Sequence, residues 1–576
     1  MGGVGVNGPQ DVGLEWDAVD WRTAEDNVRR LRRRIFAATR AGDLKKVRSL
    51  QKLLLRSLSN TLISVRQVTE RNAGRLTPGV DGQVALTSAD KERLVIEILW
   101  SPRRARPVRR VFIPKANGKR RGLGIPVILD RVQQARARNA LEPEWEARFE
   151  PKSYGFRPGR GCHDAIEAIY QVVKGRDPKR QWILDADLHG AFDHIDHEFV
   201  LDLTGSFPGR GMIRAWLKAG VIADGQLAPT EQGAPQGGVI SPLLLNIVLH
   251  GMETAAGVRY FKRSRGGIET APDAPVLVRY ADDLLVFCHS RGHAEQVKQN
   301  LTEWLAPRGL VFNEDKTRIV HVNQGCDFLG FNIRRYHGKL PLIKPSKDAV
   351  RRIRHRLRTE TRALLGGNAG GVMRKLTPII RGWAAYYRTQ VSSEVFSALD
   401  NYMWKLLYKW AKRTHPNKSR WWRMDRYFGR FNPSRNNRWV FGDKQTGAYL
   451  PKFAWTKIAR HVMVAGIASP DDPTLARYWA DRRGKQHNGP LSVLLLAQLK
   501  AQRGRCPRCS TLLLHADREP HSPQEWELWL RAVRWLVRKE NIATGTGTDD
   551  QRLIHTTCRG RTAGPATPAL LTATPA

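Results

Sequence analysis

At 576 residues the chain is long enough for about two to four domains with their own cores, and it carries no internal repeat of solenoid period. Its 96 Lys and Arg against 54 Asp and Glu leave a formal net charge of +42, so a compact state repels itself unless a polyanion or counterions screen it. Nucleic acid is the expected partner, because each neutralised phosphate releases counterions, and the absence of any run of ~18 apolar residues sets a membrane-spanning role aside.

The first residues, "MGGVGVNGPQDVGLEWD", lack the basic and apolar regions of a secretory signal, and Val6 stands where myristoylation of Gly2 expects Ser or Thr. Six cysteines in this length make no disulfide scaffold, so a reducing, cytoplasmic compartment is expected. From Trp21 to Asn72 apolar residues recur at helical spacing inside a heavily basic face. The turn-rich "NAGRLTPGVDG" breaks that pattern. In "SPRRARPVRRVFIPKANGKRRGLGIP" (Ser101 to Pro126), Asn117-Gly118 between two short apolar runs predicts a hairpin that projects Lys115, Lys119, Arg120 and Arg121.

From Pro151 to Phe331 short β-like runs ("QWILDADL", "VLVRY", "LLVFC") alternate with helices. In one of these helices Val297, Leu301, Trp304 and Leu305 share a face. Within this α+β block, "VRYADDLLVFC" sets Asp282 and Asp283 side by side at a turn between two apolar strands. Two such charges raise each other's pKa unless a cation neutralises them. The dipeptide alone reads more readily as a solvated turn. A second apolar strand ends in Asp187, and three converging carboxylates suit two Mg²⁺ ions about 3.5–4 Å apart, the arrangement that nucleotidyl transfer needs. A competing zinc or hydrolytic site built from His189, Asp193, His194 and His197 lacks a partner Cys or a helix-spaced His pair.

These ordered motifs resemble the group II intron-encoded reverse transcriptases/maturases over residues 20 to 560. "VFIPKANGKRRGLGIP" looks like the fingers block, and "SYGFRPGRGCHDAI" resembles the next. "DADLHGAFDHIDH" and "RYADDLLVF" are similar to the two palm motifs, "GAPQGGVISPLLLNIVLHGME" to the template and nucleotide block, and "NEDKTRIV" with "DFLGF" to the last two. The resemblance implies that Asp187, Asp282 and Asp283 are the catalytic carboxylates and, with the Leu188 backbone, hold the metals. It also implies that Lys115 and Arg121 grip the incoming triphosphate, that Phe192 crowds a 2′-hydroxyl, and that Gln236 lies beside the nucleotide sugar. Gly122 departs from the family's usual Pro, which puts the stiffness of the hairpin in doubt.

Beyond Pro345 helices return with interleaved aromatic and basic residues, and "LTPIIRGWAAYYRTQVSSEVFSALDNYMWKLLYKWAKRTHPNKSRWW" resembles the family's maturase-specific thumb. Basic side chains there can follow phosphates while aromatics pack in the core or stack on bases. Trp383, Tyr386 and Tyr387 are open between the two roles. "CPRC" and "HTTC" supply four candidate zinc ligands, Cys506, Cys509, His555 and Cys558. Between them Ser522-Pro523-Gln524-Glu525 predicts a capped helix with Trp526, Trp529, Leu530, Val533 and Val537 on one face. The family often ends in an HNH-type nuclease. Here His515 and His521 stand apart instead of forming its adjacent pair, which leaves a nuclease, a structural or DNA-contacting zinc module, and no zinc as alternatives.

The expected architecture is thus an α+β right-hand polymerase with a helix-rich N-terminal extension and thumb, plus a small C-terminal zinc-binding HNH-like module. Its boundaries read as a flexible N-terminus (1–20), extension (21–90), fingers and palm (91–340), thumb (341–430), a DNA-binding or linker region (431–500), the zinc module (501–560) and a disordered tail (561–576). The resemblance implies a bacterial-type, Mg²⁺-dependent RNA-directed DNA polymerase, with intron RNA, an RNA template and DNA primer, target DNA and dNTPs as partners. A maturase without polymerase activity and a reverse transcriptase of a defence or diversity-generating system are the rivals. The intact Asp set argues against the first and the maturase-like thumb against the second.

Overall fold

The computed structural model describes residues 14–100, 104–114, 120–175, 178–262, 267–336, 341–486, 498, 501–502, 506, 522–536, 542–544 and 551–553. The basic N-terminal stretch is three helices, Trp21–Arg40, Leu44–Arg56 and Leu58–Arg66, because a capping residue restarts the chain each time. Asp20, Asp43 and Ser57 each accept a hydrogen bond from a first-turn amide, and Gly42 takes φ +74° between the first two helices. The faces carrying Val28, Leu31, Ile35, Leu50 and Leu54 are buried in one cluster with Ala137, Ala140 and Leu141 of the helix Ile128–Glu146. Arg32 anchors this packing through Glu142 at 2.8 Å and Asp471 at 2.6 Å.

The fingers hairpin pairs β1 (Val108–Pro114) with β2 (Arg120–Ile125), and β4 (Val221–Ala223) and β5 (Gln226–Ala228) extend the same sheet. Gly122 sits opposite Phe112 in an unbroken ladder. A Cβ there would fall 2.4 Å from Arg110 Nε, so a larger residue has to displace only that flexible side chain. Strands β6 (Tyr260–Lys262) and β7 (Ile268–Thr270) form a separate hairpin, and β3 (Trp182–Asp187), β8 (Val276–Tyr280), β9 (Asp283–Cys288) and β10 (Arg318–His321) form the central sheet, wholly antiparallel in the order β10-β3-β9-β8.

Period-two alternation makes that sheet a wall between two cores. Leu184, Ala186, Leu284, Val286 and Cys288 face one cluster, with Val297, Leu301 and Leu305 of the helix Arg291–Leu305. Ile183, Val276, Val278, Leu285 and Phe287 face the other, with Ile166 and Ile169 of the helix Cys162–Val173. Burial on both faces is why these strands read as continuous apolar runs, each large side chain contributing about 1.5–3 kcal/mol.

The second core continues into the thumb helices Lys347–Ala363, Ala369–Tyr387 and Ser393–Thr414. Trp383, Tyr386 and Tyr387 are buried there, so all three are packing residues. The Tyr386 and Tyr387 hydroxyls donate to the carbonyls of Leu329 (2.9 Å) and Gly330 (3.2 Å), which ties the thumb to the "DFLGF" turn. Among the described residues no helix is long and apolar enough to cross a membrane.

The predicted capped helix forms as Pro523–Leu536, with the Glu525 amide donating to Ser522 Oγ at 3.1 Å and Trp526 and Leu530 buried. Val533 and Val537 lie outside the residues whose side chains are described. Gly382 lets this helix approach the thumb, since a Cβ there would lie 2.8 Å from the Glu527 nitrogen and 2.9 Å from the Pro523 oxygen. Arg356 locks the contact through the buried Glu527 at 2.7 Å. Gly382→Val is expected to detach the helix, read as faster hydrogen exchange across 523–536 with protection of β3 and β9 unchanged.

Candidate active site

Strand pairing brings the acids together. Asp187, the last residue of β3, stands directly opposite Asp283, the first of β9. Tyr280 pairs with Asp283 across β8 and β9, so Ala281 and Asp282 form a two-residue loop. Only its first residue has positive φ, +59° at Ala281, where such loops favour Gly. That conformation costs an alanine on the order of 1–2 kcal/mol, so surrounding contacts must hold it.

Burial first, then the neighbouring charges of Asp282 and Asp187, pushes the Asp283 carboxyl up to about 8, and a hydrogen bond with Asp187 adds to this. Burial and the Asp187 charge also raise Asp282, against the fields of Arg121 and Lys316. Lys316 Nζ donates to Asp187 Oδ2 at 2.6 Å, and Asn313 Nδ2 reaches the same oxygen at 3.4 Å. Their turn is fixed to the strand end because the Asn313 amide donates to the Asp187 carbonyl at 2.8 Å. Among the described residues no three His, Cys, Asp or Glu side chains already surround an ion-sized point. The Lys316 ammonium is the cation that contacts Asp187 directly. Acceptor-only oxygens under mutual repulsion are the donor set of a hard divalent cation, and the residues present fit Mg²⁺.

The fingers reach this site through Arg121, whose Nε donates to Gln236 Oε1 at 2.9 Å, while the Gly124 amide donates to the Gln236 carbonyl at 2.9 Å. Gly237 is required at φ +130°, where a Cβ would fall 2.7 Å from the Gly124 oxygen. Phe192 is buried and meets Phe156 edge to face, with ring centroids 6.3 Å apart. Leu188 is buried and bridges to Phe312. Lys115 and Lys119 lie outside the described residues.

The histidine-rich alternative does not assemble. His197 is buried with Nε2 on the Gly233 carbonyl at 2.7 Å, while His189 and His194 stack on one another. Of the candidate zinc ligands, Cys506 is buried in the cluster of Trp16 and Trp21, and Cys509, His555 and Cys558 lie outside the described residues. Sequence reasoning missed Phe156, Lys316 and Asn313. Their only signal was membership of motifs whose neighbours drew attention first.

Residues 113–333 match the family described as reverse transcriptase (RNA-dependent DNA polymerase), 16–98 the N-terminal domain of reverse transcriptase, and 350–428 the group II intron maturase-specific domain. The chain is 34% identical to Protein YkfC of Escherichia coli, over 48% of this chain and 80% of that one. It is 29% identical to the group II intron-encoded protein LtrA of Lactococcus lactis, over 49% of this chain and 58% of that protein's length. Maturase-like protein 1 of Euglena gracilis is 23% identical, over 64% of this chain and 76% of the other.

The Asp283 carboxyl has a pH signature. Its folded value of about 8 exceeds the ordinary 3.8, so its contribution to stability is full below about 4 and is lost as pH rises toward 8. In chelator, the thermal midpoint of the native protein is expected to fall more steeply over that interval than that of Asp283→Asn.

Proposed function

The chain belongs to the group II intron-encoded reverse transcriptases/maturases, and from that membership we propose that it copies RNA into DNA at Asp187, Asp282 and Asp283 while binding the intron RNA that encodes it. The observation that carries this reading is the direct opposition of Asp187 and Asp283 beside the strained Ala281-Asp282 loop. When bound, Mg²⁺ supplies activation of the primer 3′-hydroxyl and neutralises charge on the triphosphate. Asp187, Asp282 and Asp283 would hold it, with the Leu188 backbone alongside. Arg121 is exposed and directs charge-assisted donors at the triphosphate, with Lys115 as a second cation. Phe192, backed by Phe156, limits room at the 2′ position of the incoming sugar, and Gln236 steadies that sugar.

RNA binding uses other surfaces. In the thumb, Trp404 stacks on Tyr408 with centroids 5.7 Å apart and meets Trp439, which is 52% exposed; Lys405, Lys409 and Lys412 share the helix. Aromatic faces among ammonium groups suit unpaired bases and their phosphates. We assign residues 21–90 to the extension, 91–340 to fingers and palm, 341–430 to the thumb and 431–500 to target-DNA contact or linkage. Residues 501–560 are assigned to a zinc-binding, HNH-like module held by Cys506, Cys509, His555 and Cys558. Assistance to splicing and intron mobility follows from these partners, in the bacterial cytoplasm.

Primer extension tests the polymerase. Asp282→Ala and Asp283→Ala are each expected to lower cDNA synthesis well beyond the ~10–100-fold loss typical of residues that only orient metal ligands, with intron RNA affinity unchanged. Wild-type synthesis in either variant contradicts the reading. Phe192→Val is expected to raise ribonucleotide incorporation about tenfold relative to deoxynucleotides, the scale of one hydrophobic contact in a pocket, measured by single-nucleotide extension.

A further inference from the structure

Arg279 is fully buried at the last-but-one position of β8, although an isolated guanidinium is costly to desolvate. Its Nη1 donates to Asn246 Oδ1 at 3.0 Å and to the carbonyl of Ala281 at 3.3 Å. Asn246, buried in the helix Ser241–Val248, donates through Nδ2 to the Gly155 carbonyl at 2.8 Å. Gly155 closes the circuit, since a Cβ there would fall 2.2 Å from the Ala281 nitrogen. The backbone beneath is held as well: the Tyr154 amide donates to the Arg279 carbonyl at 2.9 Å and the Arg279 amide to the Lys152 carbonyl at 3.0 Å. Three motifs far apart in the chain thus meet on one left-handed alanine.

We propose that Arg279 and Asn246 are positioning residues that clamp Ala281 in its left-handed conformation and so set the geometry in which Asp282 and Asp283 receive the metal. The inference rests on the polymerase reading above. Both ends of the Asn246 amide are committed, Oδ1 to a group that only donates and Nδ2 to an oxygen that only accepts, so a carboxylate of the same shape cannot replace it. Charge balance alone does not account for the arrangement. The charged groups that act most strongly on Arg279 are Glu150, Arg157, Glu253 and Asp282. None of these takes one of its hydrogen bonds, which go to Asn246 and to the loop carbonyl.

The test measures Mn²⁺ binding to the full chain by electron paramagnetic resonance, without nucleic acid or dNTP. Asn246→Asp is expected to weaken Mn²⁺ binding about 10–100-fold, the usual effect of freeing metal ligands from their supports. Adding Ala281→Gly is expected to recover at least a factor of about five, because glycine adopts positive φ without strain. Arg279→Lys keeps a buried cation near Glu150 and Glu253, guards against a misfolded Asn246 variant, and is expected to lose about tenfold, again with recovery by Ala281→Gly. Mn²⁺ affinity within twofold of the parent in Arg279→Lys, or a loss that Ala281→Gly leaves untouched, overturns the proposal. Failure of the polymerase reading is separate and shows as undiminished cDNA synthesis in Asp283→Ala.

Discussion

Everything in this molecule is arranged around the repulsion between Asp187 and Asp283, placed in register at the ends of adjacent antiparallel strands. Carboxylates so close and so buried resist joint ionisation, which is why Asp283 keeps its proton far above the ordinary carboxylate range. The fold maintains this arrangement by fixing both strand ends. On one side the Asn313–Lys316 turn holds Asp187, and on the other the contacts of Arg279 and Gly155 fix the Ala281 loop. The tension is stored where a divalent cation relieves it.

That local arrangement requires a rigid frame. The sheet that carries both strands is buried on its two faces by separate apolar clusters, so neither strand can shift by one residue without moving its whole apolar set to the wrong core. The fingers are tied to the same frame through Arg121 and Gln236, and the thumb through the hydroxyls of Tyr386 and Tyr387. Aromatic residues of the thumb accordingly divide into two groups. Trp383, Tyr386 and Tyr387 are buried, and Trp404 and Tyr408 pack at the edge of the same core, where Trp404 meets the exposed Trp439 of the following segment.

Much of this was legible in the residues. Flanking apolar runs marked the Asp282-Asp283 hairpin, the Asn-Gly pair marked the fingers hairpin, and the Ser522 capping box marked the last long helix. Local signals of this kind survive because turn chemistry and periodicity act over a few residues. Asn246, Lys316 and the partners of Arg279 left no such mark. One arginine among many basic residues, or one asparagine inside an apolar helix, acquires its role only from partners tens or hundreds of positions away.

The sequence by itself determined the succession of elements, the excess of positive charge that calls for a polyanion, and the three acids able to hold a hard cation. Tertiary structure alone decided that Asp187 stands in register with Asp283, that Lys316 rests on Asp187, and that Gly155 packs closely on Ala281. The physical reason is that strand register and side-chain burial are set cooperatively by the packing of two cores, whereas composition and local pattern constrain only the pieces that are packed.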